Sequence, residues 1–316
     1  MRVAQPPPLA LVGPTAAGKS ALALGLARLR TEAELVSVDS MAVYRGMDIG
    51  TAKPSPSDRQ AVPYHLIDLV DPDEEFSVRQ FQDAARDVFS TIAGRGHRAL
   101  LVGGTGLYLR AVVDDLELPG RWPEIATALN AEADRTGGVE LLYARLAELD
   151  PPAAMRIEPG NRRRLVRALE VTLGSGRPFS SFGPGLEVYP PTPVVLVGIR
   201  FEPAIHDGLI EKRFQTLLDR GFLDEVRALA ARPRGLSRTA RQALGYRELL
   251  SHVEDGVPLD EAVSQAIART RAFARRQWSW FKRDPRIQWL EPEADLASGL
   301  LERWEAGAGA AVAVGD

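Results

Sequence analysis

The octet Gly13-Pro14-Thr15-Ala16-Ala17-Gly18-Lys19-Ser20 has the spacing GxxxxGK followed by Ser. An apolar run, Leu9–Val12, stands before it, and an Ala/Leu-rich stretch of helical character follows from Lys19. The glycines let the backbone curl until successive N–H groups face one point, at the positive end of the following helix. Lys19 adds a cation there, and the Ser20 hydroxyl can reach a Mg2+ ion. Such a loop binds a diphosphate. The spacing leaves open whose diphosphate it is.

Chemistry on a nucleoside triphosphate would also need a carboxylate, at the end of a second buried strand, to hold the metal. Asp39, closing the apolar run 35–38, stands where that carboxylate is needed. A third apolar run, 99–102, ends in Gly103-Gly104-Thr105-Gly106, which offers backbone donors and a hydroxyl but no carboxylate. ATP binding is therefore suggested by motif, while the parts of a hydrolase or kinase are half present.

These residues need a frame that brings strand ends together. Short buried strands alternating with helices, here residues 78–92 between the second and third runs, imply a parallel sheet covered on both faces. The rhythm breaks near residue 119. From there to about 193 the chain reads as helices, such as 141–149 and 162–173, followed by a loop at 174–192 rich in Gly, Pro and Ser. Residues 194–201 read as another strand, 205–231 as one long amphipathic helix, and 287–290 as a last strand after further helices. The expected organisation is an α/β core over 1–117 and 193–316, the second part ending in helices, with an inserted, mostly helical domain at 118–192. The Pro-rich lead-in 1–8 and the small-residue tail 307–316 are expected to be frayed.

Composition narrows the class further. A chain of 316 residues with 45% hydrophobic content can bury a substantial core. No apolar run reaches the roughly eighteen residues of a membrane span, and no basic-then-apolar leader opens the sequence, so a cytoplasmic protein is expected. With no Cys and four scattered His, neither a disulfide framework nor a zinc site is indicated. The net charge of −3 conceals two basic clusters. One is Arg162, Arg163, Arg164 and Arg167; the other runs through Arg269, Arg271, Arg275 and Arg276, on a helix whose apolar face is set by Ile267, Ala274, Trp278 and Phe281. These clusters keep nucleic acid open as a partner.

Several segments resemble the bacterial tRNA dimethylallyltransferases. They are the octet at 13–20, Ser37-Val38-Asp39-Ser40, and Tyr44-Arg45-Gly46-Met47-Asp48-Ile49-Gly50-Thr51-Ala52-Lys53-Pro54. Further on come His65-Leu66-Ile67-Asp68, the run at 101–106, Leu244-Gly245-Tyr246-Arg247, and Arg275-Arg276-Gln277-Trp278-Ser279-Trp280-Phe281. The matches run in order from residue 9 to about 290, nearly the whole chain.

The resemblance implies a P-loop NTPase-like parallel-sheet core put to use in prenyl transfer. A dimethylallyl group would move from dimethylallyl diphosphate to the exocyclic amine of the adenosine 3′-adjacent to the anticodon in tRNA. The loop Gly13, Pro14, Thr15, Ala16, Ala17, Gly18, Lys19 and Ser20 would hold the diphosphate, with Mg2+ at Ser20 as the cofactor. Arg213 matches a family arginine that clamps the same group, its planar fork suited to two phosphate oxygens. Asp39 would take a proton from the amine or orient it. Thr105 matches a threonine near the reacting centre. The base would be flipped out of the anticodon loop, with Ser40, Met41 and Ala42 lining its side. Arg163, Arg164 and Arg167 stand where the family contacts the anticodon stem-loop. A monomer, with no membrane association, is expected.

The chain departs from relatives at Asp115, where several carry glycine, at Ala126, where an arginine is frequent, and at Tyr64, in place of a common His. With no Cys there is no C-terminal zinc finger of the eukaryotic kind. Two other enzymes share the loop. A P-loop small-metabolite kinase would leave the later motifs unexplained, and an adenine-nucleotide prenyltransferase of cytokinin type would not need the basic insertion. An RNA-binding protein switched by nucleotide is the non-enzymatic alternative.

Overall fold

The computed structural model describes residues 7–200, 202–291 and 295–313. Residues 1–6 of the expected lead-in lie outside these. Six strands form one parallel sheet: β1 (Leu9–Val12), β2 (Ala33–Val38), β3 (Tyr64–His65), β4 (Arg98–Gly103), β5 (Val195–Ile199) and β6 (Gln288–Leu290), in the order β3-β2-β4-β1-β5-β6. Side chains alternate across a strand, so each strand feeds both faces. Ala10 and Val12 point into one apolar layer with Val36, Val38 and Leu101. Leu9 and Leu11 point into the other with Leu35, Leu100 and Val197. Burying such a side chain contributes about 1.5–3 kcal/mol each, which is why all four residues of β1 are apolar and buried.

On the second face, α1 (Lys19–Leu29) packs Ala23, Leu26 and Ala27. On the first lie α3 (Val78–Gly94) and α4 (Gly106–Val113), reached after the single-turn α2 (Pro56–Ala61). Ser77 starts α3 through a capping box: its hydroxyl accepts from Gln80 N–H, and the Gln80 side chain accepts from Ser77 N–H at 2.9 Å.

The chain divides into two compact units, one of residues up to Asp114 together with those from Pro191, the other Asp115–Pro190. Asp115 opens the second with φ 45°, a left-handed conformation that glycine adopts without strain. This unit holds α5 (Pro123–Ala133), α6 (Gly138–Leu149), α7 (Pro151–Arg156) and α8 (Arg162–Ser175) around Leu129, Leu142, Leu146, Leu165 and Leu169.

After β5 come α9 (Pro203–Asp219), α10 (Phe222–Ala230), α11 (Tyr246–Asp255), α12 (Leu259–Phe281) and, after β6, α13 (Leu296–Ala313). The single helix expected over 205–231 is two. Gly221, at φ 94°, breaks it, and the turn lets Phe222 pack edge-on against Phe214 and Tyr246. The tail expected to fray from 307 continues α13 to Ala313, and residues 314–316 lie outside those described. Along α12 the buried positions are Ala262, Ala266, Ala274, Gln277 and Phe281, and Ile267 and Trp278 pack partly buried against the core, so the four residues of the expected apolar face all turn inward. Among the described residues no helix is long and apolar enough to cross a membrane.

Candidate active site

Parallel strands end at one edge of the sheet, and that edge is where ligands of open α/β sheets bind. Here β2, β4 and β1 are neighbours. Asp39 follows β2, Gly104 and Thr105 follow β4, and the phosphate loop follows β1. All of them line one cavity of about 720 Å3, together with Arg213 from α9 and Phe273, Arg276 and Gln277 from α12. The expected residues Thr15, Ala16, Ala17, Gly18, Lys19, Ser20, Asp39, Ser40, Met41, Ala42, Thr105 and Arg213 are thus brought together; Gly13 and Pro14 complete the loop from its buried side. Ala16 holds φ 63°, a left-handed conformation rare for a side chain bearing a Cβ.

The loop is arranged for an anion. Lys19, 9% exposed, donates to the Pro14 carbonyl at 2.5 Å. Burial first, then the neighbouring Arg213 guanidinium, bring its ammonium down to about 7, with Asp39 acting in the opposite sense. Burial also lowers Arg213, again against the pull of Asp39. Two desolvated cations beside one carboxylate are unfavourable until an anion joins them.

In the same cavity, the Asp39 carboxylate accepts from the N–H of Met41 at 2.8 Å. Thr105 Oγ1 accepts from Ser40 N–H at 3.2 Å. These bonds fix Asp39 and Thr105 relative to each other. The glycines after β4 permit the close approach of α12: a Cβ at Gly104 would enter the Gln277 amide, and one at Gly106 the Trp280 indole.

The segment Asp48-Ile49-Gly50-Thr51-Ala52-Lys53-Pro54 forms part of the wall, and its polar groups are held from outside. Glu225 accepts from the backbone N–H groups of Asp48, Ile49 and Gly50 at 2.9, 2.6 and 3.1 Å, and from the Tyr246 hydroxyl at 2.6 Å. Burial, then the Glu225 charge, raise the Tyr246 phenol above its ordinary range, so it stays a donor. Lys53, 7% exposed, donates to the Tyr44 carbonyl, Asp48 and Asp68, and Arg59 also pairs with Asp68. Asp48, Lys53 and Asp68 of these motifs are thus scaffold, paired among themselves and with Arg59. Sequence reasoning did not single out Glu225, and it met Gln277 only within the run 275–281, without a role; a glutamine between Ala274 and Phe281 on the buried stripe of α12 was the available signal.

The basic clusters divide. Arg162 pairs with Asp134 at 2.5 Å, and Arg167 donates to the carbonyls of Pro119 and Gly120 and pairs with Glu170 at 2.9 Å. Arg163 and Arg164 are exposed. Arg269 pairs with Glu248, Arg271 with Glu211 and Arg275 with Asp207, and both Arg269 and Arg276 line the cavity. Among the described residues no group of three or more His, Asp or Glu side chains could hold a metal by itself. The hard oxygen of Ser20, which lines the cavity, suits Mg2+, an ion that keeps waters and takes substrate phosphate oxygens for the rest of its shell.

A family model described as IPP transferase matches residues 42–284, beginning just past Asp39. A tRNA dimethylallyltransferase of Roseiflexus castenholzii is 47% identical over 305 residues, covering 95% of this chain and 96% of its own. One from Streptomyces coelicolor is 46% identical over 307 residues, covering 96% and 95%. The crystal structure of the full-length tRNA isopentenylpyrophosphate transferase from Bacillus halodurans matches with a TM-score of 0.70 at 35% identity, over 97% of both chains.

Proposed function

The chain belongs to the IPP transferase family, and from that membership we propose that it transfers a dimethylallyl group from dimethylallyl diphosphate to the exocyclic amine of the adenosine 3′-adjacent to the anticodon in tRNA, releasing pyrophosphate. One observation carries the reading: a single cavity is lined by a phosphate loop, by the desolvated cations Lys19 and Arg213, and by the carboxylate of Asp39 with Thr105. A donor and an acceptor can therefore meet without crossing the protein.

In the transfer, the amine nitrogen forms a bond to the allylic carbon as the carbon–oxygen bond to the diphosphate breaks. An amine conjugated into a purine is a weak nucleophile. Asp39, fixed by Met41 N–H through one oxygen, accepts the hydrogen bond of the amine and then its proton. Thr105 borders the same space and steadies the Ser40 backbone beside Asp39. The electron pair leaves on pyrophosphate, where loop amides, Lys19 and Arg213 meet the developing charge. Ser20 would hold a Mg2+ ion, which would supply further countercharge to the leaving group. Exposed Arg163 and Arg164 serve as phosphate contacts for the anticodon stem-loop. Arg167 supports them by tying α8 to the carbonyls of Pro119 and Gly120.

The test is transfer from radiolabelled dimethylallyl diphosphate, with Mg2+, to unmodified tRNA, with AMP and ATP as competing acceptors. Label on the adenosine 3′ to the anticodon is the expected result. Label in AMP or ATP alone would move the assignment to the cytokinin-type enzymes, and no transfer to any acceptor would overturn it.

A further inference from the structure

Gln277 stands on the buried stripe of α12 with 7% of its surface exposed. Both ends of its amide are used. Oε1 accepts from the Thr15 N–H at 2.8 Å, and Nε2 donates to the Gly104 carbonyl at 2.9 Å. Thr15 belongs to the loop after β1, and Gly104 to the turn after β4. The backbone ladder between these strands ends at Val12 and Gly103. Beyond it the side-chain amide does what a peptide unit would do, accepting from one turn and donating to the other.

The connection continues toward the acceptor groups. Gly104 precedes Thr105, whose hydroxyl accepts from Ser40 N–H, and Ser40 follows Asp39. A path of covalent and hydrogen bonds thus runs from the diphosphate loop through Gln277 to the carboxylate. The fit is mutual, since the amide occupies the space that a Cβ at Gly104 would need. An amide buried for packing alone would be an expensive choice beside a leucine, because both its polar ends must be satisfied.

We infer that Gln277 is a positioning residue for the transfer, resting on the function proposed above: it sets the distance between the loop that holds the donor and the turn that holds the acceptor side. A displacement of about 1 Å between reacting partners costs on the order of a hundredfold in rate. The residue touches neither substrate in this account. It acts through Thr15 and Gly104.

The experiment compares Gln277→Leu and Gln277→Glu with the parent by single-turnover transfer, donor binding, and hydrogen exchange of the Thr15 amide. Gln277→Leu is expected to lower the transfer rate about a hundredfold, with donor affinity changed less than about threefold, and to expose the Thr15 amide to exchange. Gln277→Glu supplies the discriminating readout. As a carboxylate it accepts from Thr15 but has no proton for the Gly104 carbonyl; as a neutral acid it does both. Burial raises such a carboxyl, so its rate relative to the parent should climb as pH falls from about 8 to about 5.5. A ratio independent of pH, or a parental rate in Gln277→Leu, overturns the inference. If Gln277→Leu fails to fold, the glutamate variant at low pH still decides. A parent that transfers nothing overturns the proposed function instead, and the exchange of Thr15 then decides the role of Gln277.

Discussion

Lys19 and Arg213 face the same cavity as like charges, and burial followed by that guanidinium brings the Lys19 ammonium from 10.5 down to about 7. The protein without donor is thus poised to take up a proton when an anion arrives. A bound diphosphate restores the charged form, so binding near pH 8, where the free amine is mostly neutral, should consume up to about one proton. Affinity for dimethylallyl diphosphate should fall as pH rises above about 7, by up to about tenfold per unit. Calorimetry in buffers of different ionisation enthalpy measures the uptake directly. Lys19→Met should abolish it; equal uptake in that variant would remove Lys19 from the donor site.

The same residue carries a stability consequence. Its folded pKa, about 7, lies below the unfolded 10.5, so the unfolded chain binds more protons between those values and stability rises with pH across that window. Below about 7 the penalty is fully present, and above the unfolded value it vanishes. Lys19→Met should therefore melt higher than the parent at pH 7, without ligand, and the two should converge as pH rises through the window. A variant that melts lower at pH 7 would mean that the Pro14 hydrogen bond outweighs desolvation.

Asp39 is the group on which the proposed chemistry turns. Asp39→Ala should lower single-turnover transfer by about a hundredfold or more, the usual contribution of a general base. Donor binding should change little, because the loop after β1 does not depend on the turn after β2 for its own backbone. Unchanged single-turnover rates would take Asp39 out of catalysis.

Within the inserted unit the arginines separate by their partners. Arg163→Ala and Arg164→Ala should each weaken tRNA binding and reduce its salt dependence by about one unit of log–log slope. Arg167→Ala should instead lower the melting temperature, because the carbonyls of Pro119 and Gly120 lose their donor and Glu170 keeps only the Trp122 N–H. Equal salt slopes in parent and both exposed-residue variants would make those arginines ordinary surface charge.

What the sequence could show depended on how local the physics was. The phosphate loop and strands such as Leu9–Val12 were legible because curl, burial and strand end are written within a dozen residues. The meeting of Asp39, Thr105 and the loop was legible once the strands were known to be parallel. The break at Gly221 was not, since a lone glycine in an amphipathic stretch reads as a tolerated defect until Phe222 is seen packed on Tyr246. Nor could charge counting separate Arg167 from Arg164, because the partners of Arg167 are backbone carbonyls 47 and 48 residues away. The segment 48–54 was recognisable as a pattern, but its reason is a carboxylate on a distant helix.

That carboxylate gives the last prediction. Glu225 gathers three consecutive backbone N–H groups and a phenol that burial keeps protonated. A bond to a charged acceptor contributes about 1.5–3 kcal/mol where its donor is buried, and much less where water can take the acceptor's place, as at exposed Asp48. Glu225→Ala leaves donors unmet on the cavity wall, and should cost about 2–3 kcal/mol of stability and raise the donor KM. Glu225→Gln should fall between, since an amide oxygen can serve some of these N–H groups while its own N–H2 opposes the rest. Tyr246→Phe removes one donor and leaves the three amides bonded, so it should be the mildest of the set. Denaturant melts order the three variants. Were Tyr246→Phe to destabilise as much as Glu225→Ala, the carboxylate would be serving the tyrosine rather than the loop.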